Sequence, residues 1–200
     1  RAVQGCEAVF HLAAHKSVAR SVEQPLTTDR VNVGGTLNVL VAARDAGVRR
    51  VISSSSSSVY GGAETRPTPE STTLMPRSPY AVSKLAGELY CRVFHELHGL
   101  TTVSLRYFNV YGPRQRPEGP YAAVIPAFIS ALRQGVAPTV HGDGLQTRDF
   151  TFVDDAVSAN LAALRAPAER CGGQVYNVAG GAEITLLDLL AAVEAATGTL

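Results

Sequence analysis

The sequence predicts an α/β fold, with a parallel sheet covered by helices and a smaller lobe after it. Three observations predict this. Apolar runs and helical periodicities alternate as β-α-β-α-β over the first half of the chain. The strand-like runs are apolar on both faces, as strands covered by helices on each side must be. After Asn109 the pattern gives way to proline- and glycine-rich connections between shorter elements.

The elements follow in order. "AVFHLAA", residues 8–14, is a short apolar run ending in small residues and reads as a buried strand. From Pro25 to about Ala46, apolar positions recur at helical spacing (Val31, Thr36-Leu37, Leu40-Val41), and Gly47 stops the helix. "VRRVIS" gives a second strand at about residues 50–55, and residues 61–79 read as loop. Ser78 caps and Pro79 opens a long helix to about His98, with Gly99 behind it. "TTVSLRYF" is the third strand. Beyond Asn109, "VYGPRQRPEGPY" is loop and Ala122–Gln134 is helical. "PTVHGDGLQTRDFTFV" reads as two short strands around a glycine-rich turn. Asp154-Asp155 opens a helix to about Arg165. "QVYNVA" is a strand, and Thr185–Thr197 is a helix with Asp188 in its first turn and Gly198 behind. Residues 1–108 thus read as most of a nucleotide-binding sheet. Residues 109–200 read mainly as a smaller lobe, interleaved with returning elements of the sheet.

Composition excludes several classes. The 200 residues are 46% hydrophobic and 18% charged, an ordinary globular balance. A net charge of +1 offers no field of one sign, which argues against nucleic acid as a partner. No run of eighteen apolar residues predicts a membrane span. Cys6, Cys91 and Cys171 lie far apart without metal-ligand spacing, which predicts reduced thiols in a cytoplasmic protein and no metal. Lys16 and Lys84 are the two lysines against sixteen arginines, a bias that leaves lysine where a compact ammonium is needed.

The sharpest local signal is "YAVSK". Tyr80 and Lys84 lie one helical turn apart on one face. A neighbouring ammonium favours the phenolate, which predicts a lowered tyrosine pKa and a usable general base. Six serines, 53–58, emerge at the C-terminal end of the second strand, where parallel sheets bind ligands. Other features read as structural. His95 and His98 share a helix face without a third ligand. Asp154-Asp155 suits a helix start. "GDGLQT", residues 142–147, lies between two predicted strands, so the dinucleotide fingerprint does not apply.

Serines ending a strand, then VYG, SPYAVSK, LRYFNVYGP, RDFTFVDD and YNVAGG, occur in this order along nearly the whole chain. The sequence resembles the extended short-chain dehydrogenase/reductase family, and within it the NAD-dependent nucleotide-sugar epimerase/dehydratase group that contains UDP-glucose 4-epimerase. The resemblance implies a Rossmann-like doubly wound parallel sheet with a smaller C-terminal α/β substrate-binding lobe. It implies Ser56, Tyr80 and Lys84 as catalytic residues, with Ser56 identified by counting back three positions from Val59. Cofactor contacts, with NAD as the cofactor, correspond to Leu12, Ala13, Ala14, Lys16, Asn32, Ser56, Tyr80, Lys84 and Phe108. Substrate contacts correspond to Ser56, Tyr80, Asn109, the backbone at Ala123 and Val124, and Arg148, whose forked donors suit a diphosphate. An ion pair of Arg148 with Asp149 or Asp143 is the alternative. Ser17 and Arg20 correspond to a loop near the sugar. The family also implies a homodimer paired through the helices at 25–46 and 78–98.

The family's GxxGxxG segment and its acidic ribose-binding residue have no counterpart here. This predicts an N-terminally truncated sheet in a fragment that also ends early and, alone, binds NAD poorly and turns over little. Members that eliminate water carry acids just before the VYG-like tripeptide, where this chain has Ser57 and Ser58. The reading is therefore a 4-epimerase of UDP-glucose/UDP-galactose or the uronic acids, acting through a 4-keto sugar. A dehydratase or keto-sugar reductase, and a non-catalytic NAD-binding sensor or scaffold, remain the alternatives.

Overall fold

The structure, a computed structural model, describes residues 2–62, 65–117 and 123–198. The chain forms two compact units. The first comprises Arg1–Phe108 and Asp154–Val178, and the second Asn109–Val153 and Ala179–Leu200.

In the first unit, strands β1 (Ala8–His11), β2 (Arg50–Ser56), β3 (Thr101–Tyr107) and β7 (Gln174–Val178) form one parallel sheet in the order β1-β2-β3-β7. The register pairs Ser55 with Arg106 and Ser56 with Tyr107. Helices α1 (Val18–Glu23), α2 (Pro25–Asp29), α3 (Gly35–Asp45), α4 (Pro79–His98), α6 (Val153–Arg165) and α7 (Ala168–Cys171) accompany it. Two apolar clusters form its core. Leu40, Ala43, Val51, Cys91 and Phe94 belong to one, and Ile52, Val103, Leu105, Ala163 and Val178 to the other. Burial reaches both faces of the central strands: Val103 and Leu105 of β3 are buried, and so are Thr102, Ser104 and Arg106, which alternate with them. The parallel α/β sheet is as expected. Against the expected truncated sheet, four strands pair in one continuous parallel sheet with these clusters packed on it.

Several boundaries differ from the sequence reading. β1 stops at His11, so Leu12–Ala14 continue past the strand end. The helix expected over 25–46 is three helical pieces, because Arg30–Gly34 adopts a π-helical turn carrying Asn32. Such turns recur at functional sites. Ser17 ends the connecting segment and caps α1 through the amide of Arg20, whereas Arg20 lies in the helix and not in the expected loop. α4 forms as expected, because each end is chemically specified. Ser78 accepts from the Ala81 amide, Pro79 sits in the first turn, and Gly99 closes the helix at φ 66°.

The second unit holds β4 (Val110–Tyr111), α5 (Val124–Arg133), β5 (Thr147–Asp149), β6 (Thr151–Phe152), β8 (Glu183–Thr185) and α8 (Leu186–Thr197). β4 pairs with β6, and β5 pairs antiparallel with β8. The two short strands therefore both follow the glycine-rich turn instead of flanking it, each drawn to a different partner. The Ala122 start expected for α5 lies outside the described residues. Phe128, Leu189 and Val193 form the core of this unit.

Gly61 marks the tightest constraint near the end of β2. Its φ is 68°, and a Cβ there would meet the Met75 carbonyl oxygen at 1.9 Å. Ser78→Ala should lower the unfolding free energy by about 1 kcal/mol through loss of the cap. Gly61→Ala should cost more, and urea denaturation of the two variants measures both.

Candidate active site

The C-terminal end of β2 and the first half of α4 build the site. Tyr80, Lys84 and Glu88 recur every four residues on one face of α4, and each meets one of three consecutive serines. Tyr80 hydrogen-bonds the Ser56 side chain. Lys84 Nζ donates to the Ser54 carbonyl at 2.7 Å. The Ser55 hydroxyl donates to Glu88 Oε1. Ser56 Oγ also accepts from the Ser58 amide at 3.2 Å, which opens a short 3-10 turn over Ser57–Tyr60. The partner of Tyr80 is therefore Ser56, with Ser55 committed elsewhere and Ser57 in the turn.

Burial governs the charges. It raises the Tyr80 pKa above its ordinary value, and the Ser56 hydrogen bond opposes this only in part. The expected lowering by Lys84 is thus corrected. The ammonium lies 5.8 Å from the Tyr80 ring centroid and is held by the Ser54 carbonyl. The cost of removing the phenolate from water exceeds that attraction. Burial likewise brings Lys84 down to about 8. His11 is lowered by burial first and by the Lys84 charge second. Its Nε2 lies 3.0 Å from Thr36 Oγ1. Thr36 donates its one proton to the Asn32 carbonyl at 2.6 Å, so His11 must donate from Nε2.

Asn32 ties the segment after β1 to α4. Its Oδ1 accepts from the His15 amide at 2.7 Å. Its Nδ2 donates to the His15 carbonyl at 3.1 Å and to Ser83 Oγ at 2.9 Å. Ala13, Ala14, Asn32, Ser54, Ser83 and Lys84 line one small pocket. Leu12 and Lys16 are exposed at the segment's ends. Phe108 follows β3, its amide donating to Val178 and its ring 6.3 Å from that of Tyr60.

The residues expected to touch substrate divide between the units. Ser56 and Tyr80 belong to the first. Asn109, Ala123, Val124 and Arg148 belong to the second. Asn109 sits at φ 35° and donates from Nδ2 to the Asp149 carbonyl at 2.6 Å. Ala123 precedes the first turn of α5, and Val124 begins it. Arg148 is exposed and donates from Nη1 to the Thr147 carbonyl at 2.7 Å. Its two alternative acidic partners have other roles. Asp149 accepts from the Gly180 and Gly181 amides, and Asp143 from the Leu145 amide.

Sequence reasoning missed His15, Ser55, Glu88, Arg106 and Tyr60. One signal was available for two of them: Arg106 is a charge inside a buried strand, and Glu88 stands one turn beyond Lys84. A fully buried charge implies a buried partner. Among the described residues, no cluster of three His, Cys, Asp or Glu could hold a metal ion.

The segment after β1 fits a dinucleotide cofactor. His15 Nδ1 and Ser58 Oγ, beyond the ends of β1 and β2, are buried polar atoms without a hydrogen-bond partner in the protein. Leu12 and Ala13 expose apolar surface in the first of these segments. A ligand with a flat apolar body and polar edges matches that chemistry.

Lys84 makes stability depend on pH. Between its folded value of about 8 and its ordinary 10.5, the unfolded chain holds a proton that the folded protein has lost. Its contribution therefore rises with pH across that window, by roughly 3 kcal/mol in all. The wild-type unfolding free energy minus that of Lys84→Met should climb from pH 8 to 10.5. A flat difference contradicts the assignment.

The model of the NAD dependent epimerase/dehydratase family matches residues 1–179. UDP-glucose 4-epimerase of Mycolicibacterium smegmatis is 45% identical over 193 residues, which is 96% of this chain and 60% of that protein. dTDP-glucose 4,6-dehydratase of Streptomyces griseus is 38% identical over 99% of this chain and 58% of its own length. In structure, UDP-N-acetylglucosamine 4-epimerase from Methanobrevibacter ruminantium M1, in complex with UDP-N-acetylmuramic acid, superimposes with a TM-score of 0.91 at 43% identity, covering 97% of this chain and 61% of that one. Against the expected N-terminally truncated fragment of the fold, the family match begins at residue 1 and relatives align along nearly all of the chain. The chain spans 60% of the length of the first of these relatives. With the family match covering residues 1–179, this chain belongs to the NAD dependent epimerase/dehydratase family.

Proposed function

We propose that the protein is an NAD-dependent nucleotide-sugar 4-epimerase, with UDP-glucose/UDP-galactose or the corresponding uronic acids as substrates. The observation that carries this reading is the Tyr80–Ser56 hydrogen bond at the end of β2, with Lys84 one turn away and neutral serines at 57 and 58. The epimerases of M. smegmatis and M. ruminantium support it.

Tyr80 takes the proton of the sugar 4-hydroxyl, and Ser56 hydrogen-bonds the reacting oxygen and relays that proton. Lys84 contributes an ammonium beside the phenol and a donor for the nicotinamide ribose. Leu12, Ala13, Ala14, Lys16, Asn32 and Phe108 complete the cofactor contacts. NAD, when bound, would supply a hydride acceptor and donor for the sugar C4, consistent with a transient 4-keto sugar, and a positive charge that would favour the phenolate. Asn109 and the backbone at Ala123 and Val124 are assigned to the sugar nucleotide, and Arg148 to its diphosphate.

A dehydratase is the second reading, favoured by the S. griseus relative. Against it, Ser57 and Ser58 offer no group that ionises near neutral pH.

Among the described residues, no helix is long and apolar enough to cross a membrane. A cytoplasmic location suits the three free cysteines. Val82, Leu89, Val93 and Leu97 expose an apolar stripe along α4. We assign this stripe to a homodimer interface.

Incubation with UDP-glucose should yield UDP-galactose, whereas a 4-keto-6-deoxy product favours the dehydratase. Tyr80→Phe should lower kcat roughly a hundred- to ten-thousand-fold with NAD binding retained. Full function in cells carrying Tyr80→Phe instead points to a sensor. Leu89→Asp with Val93→Asp should convert a dimer to a monomer in sedimentation, and an unchanged mass contradicts the interface.

A further inference from the structure

Behind the catalytic serine lies a buried charge pair that the proposed chemistry does not use. Glu88 and Arg106 are 5% and 3% exposed. They form a two-pronged pair, Nη2 to Oε2 at 2.7 Å and Nε to Oε1 at 2.9 Å. Glu88 Oε1 also accepts from the Ser55 hydroxyl. Arg106 Nη1 donates to the Tyr60 hydroxyl at 2.7 Å, and its guanidinium lies 4.8 Å from the Tyr60 ring centroid. Tyr60 in turn donates to Asn177 Oδ1 at 2.8 Å on β7.

The pair thus grips the chain at two points, Ser55 through Glu88 and Tyr60 through Arg106. Between them lie Ser56, Ser57, Ser58 and Val59, the turn that carries the hydroxyl facing Tyr80. A buried ion pair is weak evidence for stability, because desolvating two charges offsets most of their attraction. Its value here is geometric. Both charges direct hydrogen bonds that apolar replacements cannot supply, and both bonds end on the segment that must hold Ser56 in reach of Tyr80.

We propose that Glu88 and Arg106 are positioning residues, which clamp residues 55–60 and so set the Ser56–Tyr80 geometry for proton transfer. The proposal rests on the epimerase reading of this site.

Two variants of the protein test it, Ser55→Ala and the double variant Glu88→Leu/Arg106→Leu. Each is read by kcat, KM and melting temperature, and by amide hydrogen exchange over residues 54–60, which needs no substrate. Ser55→Ala should lower kcat about tenfold with KM within about twofold, since small misplacements cost rate more than binding. The double variant should keep its melting temperature, as apolar replacement of a buried pair often does, yet lose about a hundredfold in kcat. Both should exchange faster over 54–60. A double variant with wild-type kcat and exchange overturns the proposal. If the double variant does not fold, Ser55→Ala decides alone, and unchanged kcat and exchange overturn the proposal. If wild type turns over no UDP-sugar, the functional reading fails and the exchange data alone decide: faster exchange supports the clamp, and unchanged exchange overturns it.

Discussion

The contact between one face of α4 and the end of β2 is the constraint on which the site depends. An α-helix advances about 6 Å over four residues, so Tyr80, Lys84 and Glu88 form an evenly spaced row. Three neighbouring serines supply the facing groups: a hydroxyl from Ser56, a carbonyl from Ser54 and a hydroxyl from Ser55. Small side chains let helix and strand approach closely, and hydroxyls satisfy the polar row that the helix presents. Ser54, Ser55 and Ser56 of the serine run are therefore a structured interface in which each has a separate partner on α4.

The same closeness sets the electrostatics. Burial outweighs the neighbouring ammonium and leaves Tyr80 raised and Lys84 lowered. The protein alone keeps its phenol protonated. On the epimerase reading proposed above, a cationic nicotinamide brought to the site would favour the phenolate.

Elements with local chemical signals were legible in the sequence. Ser78, Pro79 and Gly99 delimit α4, and Thr185, Asp188 and Gly198 delimit α8, through caps that act within one turn. The short strands β4 and β8 were missed because two- and three-residue pairings depend on partners distant in sequence. The same limit hid the Asn32 bridge to His15 and Ser83 and the Glu88–Arg106 pair. Each joins residues whose meeting is decided by the parallel sheet and its crossover helices, not by spacing. The Tyr80 pKa was read in the wrong direction for a related cause: spacing reveals a neighbouring charge, but not how much water the fold removes.

One titration tests this account most directly. The absorbance of the phenolate, wild type minus Tyr80→Phe, follows Tyr80 alone as pH rises, without and with saturating NAD. The account predicts a midpoint above the ordinary 10.0 without NAD and a clear fall when NAD binds. A midpoint that does not move with NAD, or one already depressed in its absence, contradicts it.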